Sequence, residues 1–159
     1  MNAAEHLLGD HALARHGARA ALVCGEEVLS YRALAAEVGR AANALRALGV
    51  LPGERVLLLL RDTPEFVAAW LGAVQAGAVA IGLNTKLGAE EYRHVYADSS
   101  ARLLIVEDAL LGALGPLAVQ LAQENRLVTS APWREAVHSA ATPAAFHDCL
   151  LYTSDAADE

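Results

Sequence analysis

The sequence predicts an α/β protein built on a parallel sheet. Short apolar runs without alternation occur at residues 56–60, 79–83 and 103–106, the pattern of strands covered on both faces. Segments with a 3.6-residue apolar period lie between them. Glycine, proline and capping residues punctuate nearly every boundary. Strand, helix, strand, helix, strand over residues 56–106 argues for right-handed βαβ crossovers and a parallel sheet.

Each element has a local reason. Leu7, Leu8, Ala12 and Leu13 predict one short helix in the first twenty residues. Residues 20–24 and 28–30 are apolar runs flanking Gly25-Glu26-Glu27, a hairpin pattern. Ser30 can cap the next helix. There Leu34, Ala35, Val38, Ala41, Ala42, Leu45 and Leu48 form one stripe. Gly49 suits the C′ position, and Pro52-Gly53 marks a turn. After strand 56–60, Thr63 is placed to cap, Pro64 to take the first helical position, and Glu65 to favour the positive end of the dipole. Phe66, Val67, Trp70, Leu71 and Val74 are the expected buried face, and Gly77 the stop. Strand 79–83 leads through loop 84–88 to a helix carrying Tyr92, Val95 and Tyr96, ended by Asp98-Ser99-Ser100. Beyond Glu107 the signal weakens to a helix over 109–125 broken at Gly115-Pro116, a strand at 127–129 and a helix over 133–141.

Composition excludes several classes. The chain has 159 residues, enough for one sizeable core. A formal charge of −7 without a basic patch argues against a nucleic-acid partner. No apolar run reaches the roughly 18 residues of a membrane span. No basic start followed by a continuous apolar stretch is found, so a signal peptide is not expected and the cytoplasm is the expected location. Cys24 and Cys149 do not make a disulfide framework. His6, His11 and His16 recur at a spacing that spreads them around a helix, and no cluster has metal-ligand spacing. G-x-G-x-x-G, G-x-x-x-x-G-K-[ST] and G-x-S-x-G are absent. Asp62, after strand 56–60, could be a catalytic carboxylate but reads more simply as a capping or surface group. The residues alone lead to a cytosolic α/β domain.

Six segments carry a more specific resemblance. They are Leu29-Ser30-Tyr31-Arg32-Ala33-Leu34, Ala42-Asn43-Ala44-Leu45-Arg46-Ala47-Leu48-Gly49-Val50, and Pro52-Gly53-Glu54-Arg55-Val56. The others are Pro64-Glu65-Phe66-Val67-Ala68-Ala69-Trp70-Leu71-Gly72, then Gly77-Ala78-Val79-Ala80 leading to Leu83-Asn84-Thr85, and Asp98-Ser99-Ser100-Ala101-Arg102-Leu103-Leu104-Ile105-Val106. In this order, over about residues 20–111, the chain resembles the adenylate-forming enzymes, and in style the benzoate–CoA ligases and related acyl- or aryl-CoA synthetases. The resemblance implies a carboxylic acid substrate, ATP, Mg²⁺ and coenzyme A. It further implies that the chain is a truncated, partial parallel-sheet N-terminal subdomain of that fold, inactive alone. The family's glycine-rich phosphate loop, acidic ribose motif and C-terminal lysine are not found. Accordingly no catalytic, cofactor-binding or metal-ligating residue is assigned.

The tail reads differently. Leu151-Tyr152-Thr153-Ser154 matches the start of that phosphate loop, but Asp155-Ala156-Ala157-Asp158-Glu159 follows. Without glycines, backbone amides cannot approach a phosphate, and the carboxylates repel it. Residues 149–159 instead resemble one reading frame of a transposase sequencing adapter, so residues 1–148 are expected to be the native part. Setting aside Asp155, Asp158 and Glu159 changes the charge from −7 to −4. Two other readings stand beside the truncated synthetase: a short non-catalytic α/β binding or interaction module, and an unrelated flavodoxin-like enzyme. A partial sheet is further expected to expose an edge and apolar faces, and so to aggregate.

Overall fold

The computed structural model describes residues 2–142 and 144–147. The expected adapter stretch, with Tyr152-Thr153-Ser154, lies outside the described residues.

The chain opens with two helices, α1 (Ala3–Leu8) and α2 (Asp10–His16), where one was expected. The break is Gly9, whose extended backbone ends α1 and begins α2. A residue without Cβ loses most on being held helical, so the helix divides there. Strands β1 (Ala20–Cys24) and β2 (Glu27–Ser30) form the predicted antiparallel hairpin. Ser30 caps α3 (Tyr31–Ala47), its hydroxyl accepting from the Ala33 N–H at 3.2 Å. Gly49 follows with φ +79°, the left-handed C′ conformation that favours glycine.

The main sheet has four parallel strands, β3 (Arg55–Leu59), β4 (Val79–Gly82), β5 (Leu103–Val106) and β6 (Leu127–Thr129), in the order β4-β3-β5-β6. In register, Leu57 faces Ile81 on one side and Leu104 on the other. Alternate side chains then serve two cores. Val56, Leu58, Leu103 and Ile105 pack with α3, α4 (Pro64–Gln75) and α7 (Ser130–Ser139) around Trp133. Leu57, Leu59, Leu104 and Val106 pack with α5 (Ala89–Ser99) and α6 (Pro116–Gln123) around Tyr92, Leu114 and Leu121. Burial on both faces is what the unalternated runs predicted. It also corrects one expectation, since the apolar faces of the central strands are covered and, within the main sheet, only the outer edges of β4 and β6 lack a strand partner among the described residues.

Two local readings change. The face of α4 that packs inward is its small-residue face, Ala68, Ala69, Gly72, Ala73 and Gln75 with Leu71, whereas Phe66, Val67 and Val74 are half-buried and Trp70 is 37% exposed. The cause is close approach to α3. A Cβ on Gly72 would lie 2.6 Å from the Ala41 Cβ and 3.0 Å from the Ala42 nitrogen, so only small side chains fit between the axes. Thr63 takes the N-cap backbone position, but its hydroxyl donates to the Arg61 carbonyl instead of accepting from the helix. In the C-terminal part, residues 108–114 form a 3₁₀ helix ahead of α6. Gly115 (φ +55°) and Pro116 separate the two, as the sequence break predicted.

Candidate functional site

Open α/β sheets bind ligands at the carboxyl ends of their strands, where successive connections leave to opposite faces. Here that point lies between β3 and β5. β3 leads into α4 on one face, and β5 leads through the 3₁₀ segment into α6 on the other. Arg61 lies two residues beyond β3, and Glu107 directly follows β5.

They bond to each other. The Arg61 backbone N–H donates to Glu107 Oε2 at 3.2 Å, and Arg61 Nε donates to Oε1 at 2.7 Å, with Nη2 on the same oxygen. The hydrogen bonds from Arg61 hold the Glu107 carboxyl below the usual carboxylate range, against the opposing effect of burial. Arg134 on α7 also lies near enough to lower it. Arg134 is itself paired with Glu65 at the start of α4, through Nε at 3.0 Å and Nη2 at 2.9 Å. A chain of alternating charge therefore runs Arg61, Glu107, Arg134, Glu65 across the sheet's carboxyl edge. Two buried side-chain oxygens, Oε1 of Glu65 at the end of this chain and Oγ of Ser130 at the start of α7, have no hydrogen-bond partner among the described residues.

Two cavities flank this chain. One, of about 350 Å³, opens beyond β3 and β4 and is lined by Arg61, Asp62, Phe66, Leu83, Asn84 and Thr85. Asp62 is exposed at its mouth, in keeping with the surface role expected of it. The loop after β4 is shaped by Asn84, whose side-chain oxygen accepts from the Lys86 N–H at 3.0 Å and whose carbonyl accepts from the Tyr92 hydroxyl at 2.8 Å. Burial raises the Tyr92 hydroxyl above its ordinary pKa. The other cavity, of about 430 Å³, lies between the hairpin, α3, α4 and α7. Ala41, Ala69, Trp133 and Val137 give it apolar walls, with Arg40 and Arg134 also lining it.

These residues do not fit a nucleotide triphosphate or its Mg²⁺. Arg61 and Arg134 are committed to carboxylates. The turns after β3 and β5 begin Leu60-Arg61-Asp62 and Glu107-Asp108, without the glycines that would bring backbone amides onto phosphate. Among the described residues no three His, Cys, Asp or Glu side chains come together as a metal site. The sequence alone assigns no site residue and does not single out the Arg61–Glu107 pair. Its only sequence signal is a charged residue directly after each of the apolar runs 56–60 and 103–106.

The fold and this edge define an α/β scaffold whose switch point is closed by an ion pair. Comparison with known proteins identifies the class. The profile of the family described as AMP-binding enzyme matches residues 9–157, and the chain belongs to that family. It is 41% identical over 128 residues to a 3-hydroxybenzoate–CoA/4-hydroxybenzoate–CoA ligase of Thauera aromatica, covering 80% of this chain and 24% of the relative. It is 40% identical over 135 residues to a 3-hydroxybenzoate–CoA ligase of Aromatoleum sp. (strain CIB), covering 84% and 26%. The crystal structure of a benzoate CoA ligase from Burkholderia xenovorans LB400 superposes with a TM-score of 0.77 at 31% identity, over 92% of this chain and 30% of that one. The chain thus spans about a quarter of the length of the curated relatives it matches.

Proposed function

We propose that this chain is the N-terminal part of an ATP-dependent aryl-CoA synthetase that takes a benzoate-class acid. The observation that carries this is the identity to two hydroxybenzoate–CoA ligases over four-fifths of the chain. In that reading the whole protein adenylates a carboxylate with ATP and Mg²⁺ and passes the acyl group to coenzyme A, in the cytoplasm. The described residues supply scaffold, not chemistry. The ion-paired switch point is the structural support for this, since both arginines described there, Arg61 and Arg134, are bonded to carboxylates. The chain alone is then inactive, and residues 149–159 are adapter sequence.

The test begins with the source DNA across codon 148. A frame that continues into a Tyr-Thr-Ser-Gly-Thr-Thr-Gly type of loop supports the reading. The complete protein is then assayed for pyrophosphate release with benzoate, 3-hydroxybenzoate, 4-hydroxybenzoate and a medium-chain fatty acid. Turnover with the aromatic acids supports the aryl assignment, and turnover with the fatty acid alone overturns it. A genomic frame that reproduces residues 149–159 and stops overturns the synthetase reading in favour of a short binding module.

A further inference from the structure

Among the described residues after α7, the backbone is held by side chains and not by secondary structure. Asn43 Nδ2 donates to the Ala141 carbonyl at 2.7 Å. Arg46 Nη2 donates to the Ala145 carbonyl at 2.7 Å, and Gln75 Nε2 to the Ala144 carbonyl at 2.7 Å. The Gln75 carbonyl in turn accepts from the His147 N–H at 3.0 Å. Asn2 closes the set, with Nδ2 donating to the His147 carbonyl at 2.5 Å and to the Val74 carbonyl at 2.8 Å. Its side-chain oxygen caps α1 by accepting from the Ala4 N–H.

We infer that Ala141 and residues 144–147 form a strap that opens as one unit while the sheet and its helices stay folded. Three observations support this. First, the anchoring groups come from three separate places, the N-terminus, α3 and the end of α4, and almost all act on backbone groups of the strap. Secondly, the strap buries little. Ala144 packs with Ala42 and Ala76, while Ala141 and Ala145 are exposed and Phe146 and His147 half-buried. Segments with few apolar contacts and many exposed hydrogen bonds open at the low end of a protein's stability range. Thirdly, the strap roofs a cavity of about 270 Å³ lined by Leu8, Leu13, Ala35, Gly39, Thr142 and Phe146, so its underside is not close-packed.

Gln75 is the central anchor. It is 3% exposed, yet it makes bonds to the strap through both its side chain and its carbonyl. Gly77 adds a steric condition: a Cβ there would lie 2.8 Å from the His147 ring, so the strap can lie this low only over glycine.

The experiment is amide hydrogen exchange on the full chain, with Asn43→Ala, Arg46→Ala and Gln75→Leu compared with the parent sequence. The informative amide is His147, because its acceptor is a backbone carbonyl that none of these substitutions removes. Opening as a unit makes each variant speed exchange at His147 roughly five- to tenfold, the equivalent of one hydrogen bond. Amides of α3, β3 and β5 then keep their protection. Unchanged His147 exchange in all three variants overturns the inference. So does a parallel rise across the whole chain, which would make these residues part of the global core. Asn43 and Arg46 are half-buried, so their variants remain informative if Gln75→Leu fails to fold. The outcome is independent of any ligase activity.

Discussion

At the scale of single residues, the two tryptophans separate what spacing can and cannot give. Trp70 sits on the expected apolar stripe of α4 and is 37% exposed, whereas Trp133 is 1% exposed at the centre of one core. Helical spacing gave both residues a place on a helix, but only the packing partners decide which ring is enclosed. We expect Trp133→Ala to cost about 3–5 kcal/mol in urea unfolding and Trp70→Ala about 1 kcal/mol. Iodide should quench the fluorescence of a Trp133→Phe variant and barely touch that of Trp70→Phe. Glu107 gives a pH prediction. Its folded pKa lies below the ordinary 4.5, chiefly through the hydrogen bonds from Arg61. Its stabilising effect is therefore complete above the unfolded value and is lost as pH falls through the folded one. Urea midpoints should show Glu107→Gln slightly less stable at neutral pH, with the difference from the parent sequence closing as pH drops below about 4. A difference independent of pH would show that the pair does not stabilise the fold through charge.

Elements were legible wherever a local rule sufficed. The α3 cap, the Gly49 stop, the hairpin and all four sheet strands form where capping chemistry, glycine and apolar runs placed them. The rules failed where a neighbour decided. The inward face of α4 follows from the close approach of α3, recorded in Gly72. We expect Gly72→Val to cost about 1–3 kcal/mol or more, because the added atoms meet α3 backbone that cannot yield as a side chain would. Gly112→Ala, where nothing lies within 4 Å of the added carbon, is the control and should stay within about 0.5 kcal/mol, as read from the same urea titrations. Likewise Gln75 interrupted an apolar stretch in the sequence, and only its distant partners at Ala144 and His147 show why a polar group belongs there.

For the whole molecule, the sheet is covered on both faces but open at the outer edges of β4 and β6. Exposed Val23 and Val28, paired across the hairpin, add apolar surface. Unpaired edges and apolar patches promote association. The isolated chain should elute from size exclusion in part as oligomer or aggregate, increasingly so with concentration. A monomer that melts in one sharp reversible transition would contradict this. What the sequence by itself determined was the α/β class, the alternation of strands and helices, and the family to which the chain belongs. Those rest on local periodicity and on ordered short motifs, which any linear reading contains. Tertiary structure decided the strand order, the α3–α4 contact, the ion pair at the switch point and the strap tied back to Asn2. Each joins residues far apart along the chain, Arg61 with Glu107 or Asn2 with His147. Such pairings depend on how the layers stack, and no local pattern in the chain encodes them.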